Sequence, residues 1–499
     1  MAARQDSDHL AWDRNDDTYD AAIAHIRETP VSKITEFAGR IYGKRVSLVN
    51  KVMAGGFNVL YPLQVEGSST NVVLRVPLPN LSAFLTETKL GEAAIATYLA
   101  EQTQLPVPAV YHHGIDPDFG PFMILQDLQS QRDMSDVLGG PQEDPSERPI
   151  LDRNIPADRL KMMYLKVARC VVQLAQPTFS RIGALVETRP NVYDVSERPM
   201  TLNMNNMVQM SNIPRSVFPP KHKTYATADE WYVQLAEMQI ATLLFQHNDI
   251  VKSEDDCRTK YVARQLFRRL AKQGRLSAFG FAEDTWSAPS QRATLPMPSG
   301  TGSFRLWGED FRPANILVDE EANEKILGVI DWEFAYVGPT QFALDPPWWL
   351  LLEAPEKWED DLEDWSGQYD ERLGTWLTAM GEAEDELGGL GPEAPSLSAY
   401  MRESWETGRF WLNYAARKSW AFDAIYWTYL DERFFGERTA KDDILKEDLW
   451  KTRVHLLTHE EKQAMEPLVQ IKMEESKHRV LVEWDPAEAR QRLSSFLFD

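Results

Sequence analysis

Apolar positions along this chain fall into two periods. Between residues 20 and 39, Ala22, Ile23, Ile26, Ile34 and Phe37 recur at helical spacing, and Pro30 cuts the run into two pieces. From Ser47 the period shortens. Residues 48–53, 59–65 and 72–76 read as strands separated by a Gly55-Gly56 turn and a Gly67-Ser68-Ser69 turn, which predicts a three-stranded antiparallel meander. A helix is expected over about residues 82–102, with Leu85, Leu90, Ala93, Ala94, Tyr98 and Leu99 facing inward, and it stops before Pro106-Val107-Pro108. Residues 109–111 and 121–125 add two strands, completing a small α+β lobe by Asp127.

Past that point the pattern is mainly helical. A Pro-rich charged loop covers 139–154, and an apolar-periodic helix with Cys170 covers 156–175. The reading divides the chain into a disordered acidic start at 1–20, an N-terminal lobe at 21–127, and a large lobe at 128–352. That large lobe carries an irregular and helical insertion at 176–302, and a helical extension follows at 353–499. The expected class is α+β and bilobal. No internal repeat of solenoid type is present.

One short stretch carries the chemistry. Residues 316–318 and 326–330 read as buried strands joined by a polar turn at 319–325, which brings Asn315 and Asp331 to the same end of a hairpin. Asp310 precedes Asn315 by five positions. Phosphoryl transfer from ATP needs one group to orient the acceptor hydroxyl and two hard oxygen donors for Mg²⁺, a demand this set meets. For Asp331 the plainer alternative is an acidic cap ending a strand.

Other positions keep two readings open. The Gly55-Gly56 turn lets main-chain N–H groups approach phosphate, or it is an ordinary hairpin turn. Arg75, inside an apolar strand, must reach an anion or solvent; phosphate and Glu92 are the candidates, with Glu87 the lesser partner. Arg312 compensates Asp310 or touches phosphate. Glu309 reads as a solvated acid, and Glu333 as either a supporting or a solvated one. Residues 122–128 join the lobes and suit an adenine slot. Trp348-Trp349 read as packing, His112-His113 as a surface turn, and residues 356–364 as a solvated acidic face.

Bulk properties narrow the function. With 499 residues, a net charge of −23 and a pI near 4.9, the chain lacks the basic clustering that nucleic acid or anionic membranes require. Two distant cysteines make a zinc site or a disulfide scaffold improbable as an organising element. Neither a secretory or transit signal nor a membrane-spanning apolar run is evident, so a soluble cytoplasmic protein is expected.

In order, the Gly-Gly turn, the strand cation, a helix Glu, Pro106-Val107-Pro108, the interlobe segment, Asp310-x-x-x-x-Asn315 and Ile330-Asp331-Trp332 resemble the aminoglycoside phosphotransferase/choline kinase-like family. The likeness is greatest to its fungal members, with Phe179-Ser180-Arg181-Ile182-Gly183 and Pro346-Pro347-Trp348-Trp349, and it spans roughly residues 45–350. The resemblance implies a protein-kinase-like bilobal fold with Asp310 as catalytic base and Asn315 and Asp331 as Mg²⁺ ligands. It further implies Gly55 and Gly56 as the phosphate-covering turn, with Arg75 and its helix partner Glu92 positioning the nucleotide.

Three departures stand out. Arg75 replaces the usual Lys, and Gly308-Glu309-Asp310 replaces His-Gly-Asp. Phe311-Arg312-Pro313-Ala314-Asn315 replaces Leu-His-Pro-Gly-Asn. The expectation is an ATP- and Mg²⁺-dependent transfer of the γ-phosphoryl group to a hydroxyl of a small molecule, and the acidic chain favours a cationic one. The rival is a catalytically silent kinase-like nucleotide-binding or regulatory protein. Phosphorylation of protein side chains is disfavoured by the absence of Asp-Phe-Gly and Ala-Pro-Glu signals.

Overall fold

The computed structural model describes residues 8–130, 132–142, 149–288, 293–298, 304–319, 324–391, 394–438 and 444–498. Helices α1 (His9–Glu28) and α2 (Val31–Tyr42) precede strands β1 (Val46–Leu48), β2 (Met53–Ala54), β3 (Asn58–Val65) and β4 (Asn71–Pro77). Helix α3 (Leu85–Gln102) and strands β5 (Val110–Asp116) and β6 (Gly120–Gln126) follow. The strands form one antiparallel sheet in the order β1-β3-β4-β6-β5, with β2 paired to β3. Alternation along β3 and β4 turns Val59, Tyr61, Leu63, Val72 and Leu74 toward Ile34, Phe37 and Ala38 of α2, which makes a separate N-lobe core.

Three expectations for this lobe are corrected. Residues 8–20 are not disordered: they begin α1, while residues 1–7 lie outside the described residues. The buried Asp8 carboxylate caps α1 through the Ala11 amide at 3.0 Å and accepts from Asn248 Nδ2 at 2.9 Å. Further anchors run from the His9 amide to Asp249 and from Arg14 to Asn212 Oδ1 at 2.9 Å. At its other end Tyr19, Ala22, Ile23 and Ile26 join the N-lobe core, so α1 attaches to both lobes. Leu90, expected inside, is 38% exposed, because α3 instead buries the charged Lys89 and Glu92 against ionic partners. His112 and His113 lie in β5 rather than in a turn.

The large lobe is one continuous core. Helix Ala157–Ala175 lies along helix Leu362–Leu387, with Tyr164 and Trp376 edge to face and fully buried. The region expected as an insertion supplies much of that core. Helix Ala228–Phe245 buries residues on every side, including Trp231 and Tyr232, and helix Glu254–Lys272 packs against it. A hairpin of Ala184–Arg189 and Val192–Glu197 was not foreseen. Residues 299–303 of the Gly- and Ser-rich stretch lie outside the described residues. The C-terminal helices close over the lobe: the Tyr261 hydroxyl donates to the Glu461 carbonyl at 2.8 Å, and Lys472 Nζ to the Gln246 carbonyl at 2.8 Å. Among the described residues no helix is long and apolar enough to cross a membrane.

The architecture is therefore bilobal α+β, an antiparallel-sheet lobe on a mainly helical one, with the expected catalytic stretch where they meet.

Candidate active site

The candidate catalytic stretch leaves strand Phe304–Gly308 and enters strand Ile316–Val318, which pairs antiparallel with Ile326–Val329. Register Ile316↔Val329 and the Ile330 amide donating to the Asn315 carbonyl at 2.9 Å bring Asn315 and Asp331 to one end, as the hairpin pattern required. Asp331 adopts φ 63 and Phe334 φ 59, left-handed conformations that turn the chain sharply after the strand.

The loop is braced without the histidine. Asn315 Nδ2 donates to the Asp310 carbonyl at 2.8 Å and to Asp310 Oδ2 at 3.0 Å, while Arg312 Nε holds Asp310 Oδ1 at 2.8 Å. Phe311 stacks on Trp332 at 6.2 Å between ring centroids. A Cβ at Gly308 would stand 3.0 Å from Phe311 Cβ, so a larger residue there would displace this packing. Arg312 thus serves the carboxylate.

Opposite, the strand cation meets three acids. Arg75 Nη1 bonds Glu92 of α3, and Arg75 Nη2 reaches Asp331 Oδ1 at 2.7 Å and Glu333 Oε1 at 2.6 Å. The favoured partner Glu92 is the one used; Glu87 pairs with Arg198 instead. Lys89, one helical turn before Glu92, also bonds Glu333 and lies near Glu92 at 3.4 Å. Asn58 Nδ2 donates to Glu333 as well, tying the first residue of β3 to the large lobe. Glu333 is buried, which excludes the solvated reading, and Glu309 is buried too, with its Oε1 facing the Tyr336 hydroxyl at 3.4 Å. Likewise Glu356, expected on a solvated face, is buried and accepts from the Tyr414 hydroxyl at 2.5 Å.

Burial raises the Glu92 carboxyl to about 7, with Arg75 and Lys89 opposing the rise. Burial would raise Glu333 as well, yet Lys89 and Arg75 together hold it at about 2. Arg75 stays charged, because its carboxylates outweigh its own loss of water.

Two clefts meet at this cluster. One, of about 390 Å³, runs from Gly55 and Gly56 past Arg75 to Pro108 and the interlobe residues Leu125–Ser130, with Asp331 at its inner end. The Gly55 amide closes the turn onto the Asn58 carbonyl at 2.8 Å, and a Cβ on Gly56 would meet nothing within 4 Å. The other, of about 550 Å³, is lined by Asp310, Asp331 and Glu333 at one end and by aromatic side chains beyond. Asp331 borders both.

Asn315 commits its amide nitrogen to Asp310, which leaves its oxygen as the donor atom, and Asp331 keeps a third of its side chain exposed. A carboxamide and a carboxylate oxygen are hard donors of the kind Mg²⁺ takes. Glu92, Asp331 and Glu333 place one oxygen each within 4.8 Å of one another, but Arg75 and Lys89 already bond that acidic group. Sequence reasoning missed Lys89, Asn58 and the central place of Glu333. An Ile-Asp-Trp-Glu ending next to a buried strand was the only signal for the last.

Residues 215–385 match the family model described as phosphotransferase enzyme family. That segment contains Asp310, Asn315 and Asp331. No curated protein matches. Among solved structures, the chain is similar to a thermostable mutant of aminoglycoside phosphotransferase APH(4)-Ia in ternary complex with AMP-PNP and hygromycin B. Identity is 14%, with 88% of this chain and 97% of that chain covered at a TM-score of 0.37. It is similar to a putative fructosamine-3-kinase from Haemophilus somnus at 11% identity, covering 85% and 97% with a TM-score of 0.34. A microcompartment-associated aminopropanol kinase matches at 14% identity, covering 78% and 94% with a TM-score of 0.34.

Proposed function

We propose that the protein is an ATP- and Mg²⁺-dependent phosphotransferase acting on a hydroxyl of a small molecule. The observation that carries this reading is that Asp310, held by Asn315, lines one cleft together with Asp331, and that Asp331 also borders the other. The narrower cleft takes the nucleotide, its base against Leu125–Ser130 and its phosphates toward Gly56 and Asp331. The aromatic cleft takes the acceptor. Asp310, its charge balanced by Arg312 and its orientation fixed by Asn315, receives the acceptor's hydroxyl proton. The acceptor oxygen then forms its bond to the γ-phosphorus while the bond to the bridging oxygen breaks and ADP departs. Asn315 and Asp331 would hold Mg²⁺, which when bound neutralises charge on the phosphates.

A second reading, a silent nucleotide-binding protein, draws on the 2.7 Å Arg75–Asp331 bond, which occupies one oxygen of a proposed metal ligand. The two separate on one variant. Mg·ATP should raise the melting temperature of the wild type and of Asp310→Asn alike. The wild type should consume ATP in a screen of small alcohols, with Asp310→Asn slower by about a thousandfold. No melting shift at millimolar Mg·ATP would remove the kinase reading. A shift with no turnover across the screen would favour the silent one.

A further inference from the structure

Glu92 of α3 and the Asp331 and Glu333 that follow strand Ile326–Val329 each place an oxygen within 4.8 Å of the other two. Three hard donors at that spacing suit a divalent cation. Their exposures differ: the side chains of Glu92 and Glu333 are 2% and 3% exposed, against 33% for Asp331. Carboxylates withdrawn from water this far need positive charge beside them. Here side chains supply it. Arg75 bonds all three acids, while Lys89 bonds Glu333 and stands 3.4 Å from Glu92.

Lys89 reaches this place through helix geometry. It precedes Glu92 by three positions, so the two share one inward face of α3, and its side chain is 3% exposed. At Glu333 the donors from Asn58, Arg75 and Lys89 all converge on Oε1, which fixes that carboxylate. Lys89 borders neither cleft, whereas Arg75 borders the narrower one. Whatever Lys89 does for the reaction, it does through Glu333 and Glu92. Taking away the ammonium leaves three carboxylates on one guanidinium, an arrangement that a divalent cation relieves better than water does.

Building on the phosphotransferase reading, we propose that Lys89 is a positioning residue for the metal. Its ammonium takes the place a divalent cation would hold beside Glu92 and Glu333, and so leaves Asp331, with Asn315, as the place where the metal is held. The helix that carries Glu92 thereby decides which of three clustered acids serves the nucleotide.

Mn²⁺ in the absence of nucleotide tests this on the full chain, followed by melting temperature and by loss of the free-ion spin-resonance signal. Wild type should keep its melting temperature at millimolar Mn²⁺. Lys89→Ala should melt lower, bind Mn²⁺ about tenfold more tightly than wild type, and regain about half of the lost melting temperature. If Lys89→Ala is unfolded in chelator, tryptophan fluorescence should show Mn²⁺ refolding it. Lys89→Ala/Glu333→Gln removes an acid together with its cation and should respond to Mn²⁺ no more than wild type. Equal Mn²⁺ affinity in wild type and Lys89→Ala overturns the proposal, as does a Lys89→Ala protein that Mn²⁺ neither stabilises nor refolds. A matching gain in the double variant overturns it too, since it would place the ion elsewhere on an acidic surface. The Mg·ATP shift of the wild type is recorded separately; its absence removes the phosphotransferase reading without touching the Mn²⁺ comparison.

Discussion

Lys89 shows how much a single side chain can hide. On a helix with charged neighbours it reads as solvated, yet it is 3% exposed and bonds Glu333 across the lobe boundary. With Arg75 it forms a pair of cations facing Glu92, Asp331 and Glu333. Removing one member of such a buried set leaves the others uncompensated, which costs about 3–5 kcal/mol. Lys89→Met should therefore lower stability by about 3 kcal/mol in denaturant titration; a change within experimental error would mean the bond to Glu333 contributes nothing net. Arg75→Lys should also lose stability, since an ammonium cannot span three carboxylates as a guanidinium fork does. The two cysteines behave alike. Burial pushes the thiols of Cys170 and Cys257 up to about 12, so the reactive thiolate is scarce at any pH below that. Both should resist a thiol reagent at pH 8 in the native protein and react promptly in denaturant.

At the scale of elements, the pattern read well where one face is dry. Strands β3 and β4 and hairpin Ile316–Val329 were legible because each is a short apolar run bounded by Gly, Ser or charged residues, and the register of that hairpin brings Asn315 to Asp331. The hairpin Ala184–Glu197 was not, because Glu187, Thr188, Arg189 and Asp194 interrupt the apolar signal. The first half of helix α1 was missed for a related reason: of residues 9–20 only Ala11 is buried, and Asp13, Arg14, Asn15, Asp16, Asp17, Thr18 and Asp20 interrupt the apolar signal. What holds it is a cap and tertiary bonds that no local window contains. Asp8→Ala should cost about 1–2 kcal/mol, lost from the cap and from the partner of Asn248. Hydrogen exchange should then quicken across α1 while the strands of the N-lobe stay protected. A second element-level test concerns Gly328, where an added Cβ would land on Leu128 Cδ1 and lie 3.5 Å from Pro108 Cδ. Leu128 and Pro108 line the proposed nucleotide cleft. Gly328→Ala should weaken Mg·ATP binding by about tenfold with little change in melting temperature, because flexible Leu128 yields into the cleft.

Across the whole molecule the lobes are joined by more than the segment after β6. Helix α1 bridges them on one side, and Asn58, Arg75 and Lys89 bond residues 331 and 333 within the cleft. The C-terminal residues reach the same region as the start of α1, with Arg479 paired to Asp249 and the Val480 carbonyl accepting from Asn248 Nδ2 at 3.0 Å. Architecture at this scale was legible only in outline. The alternation of strands and helices announced two lobes, whereas the ties between them are side-chain bonds spanning more than two hundred residues of sequence. Such bonds leave no periodic trace.

The Arg75 fork also has a consequence for the order in which the protein is made. A nascent chain presents its N-terminal lobe first, but two of the three counter-charges of Arg75, and the Glu333 partner of Lys89, lie more than two hundred residues downstream. Until the ribosome has released residue 333, the small lobe must hold two cations that have only Glu92 between them. On stalled ribosomes its strands should remain open to protease until that point, and lengthening the nascent chain past Glu333 should protect them in a single step.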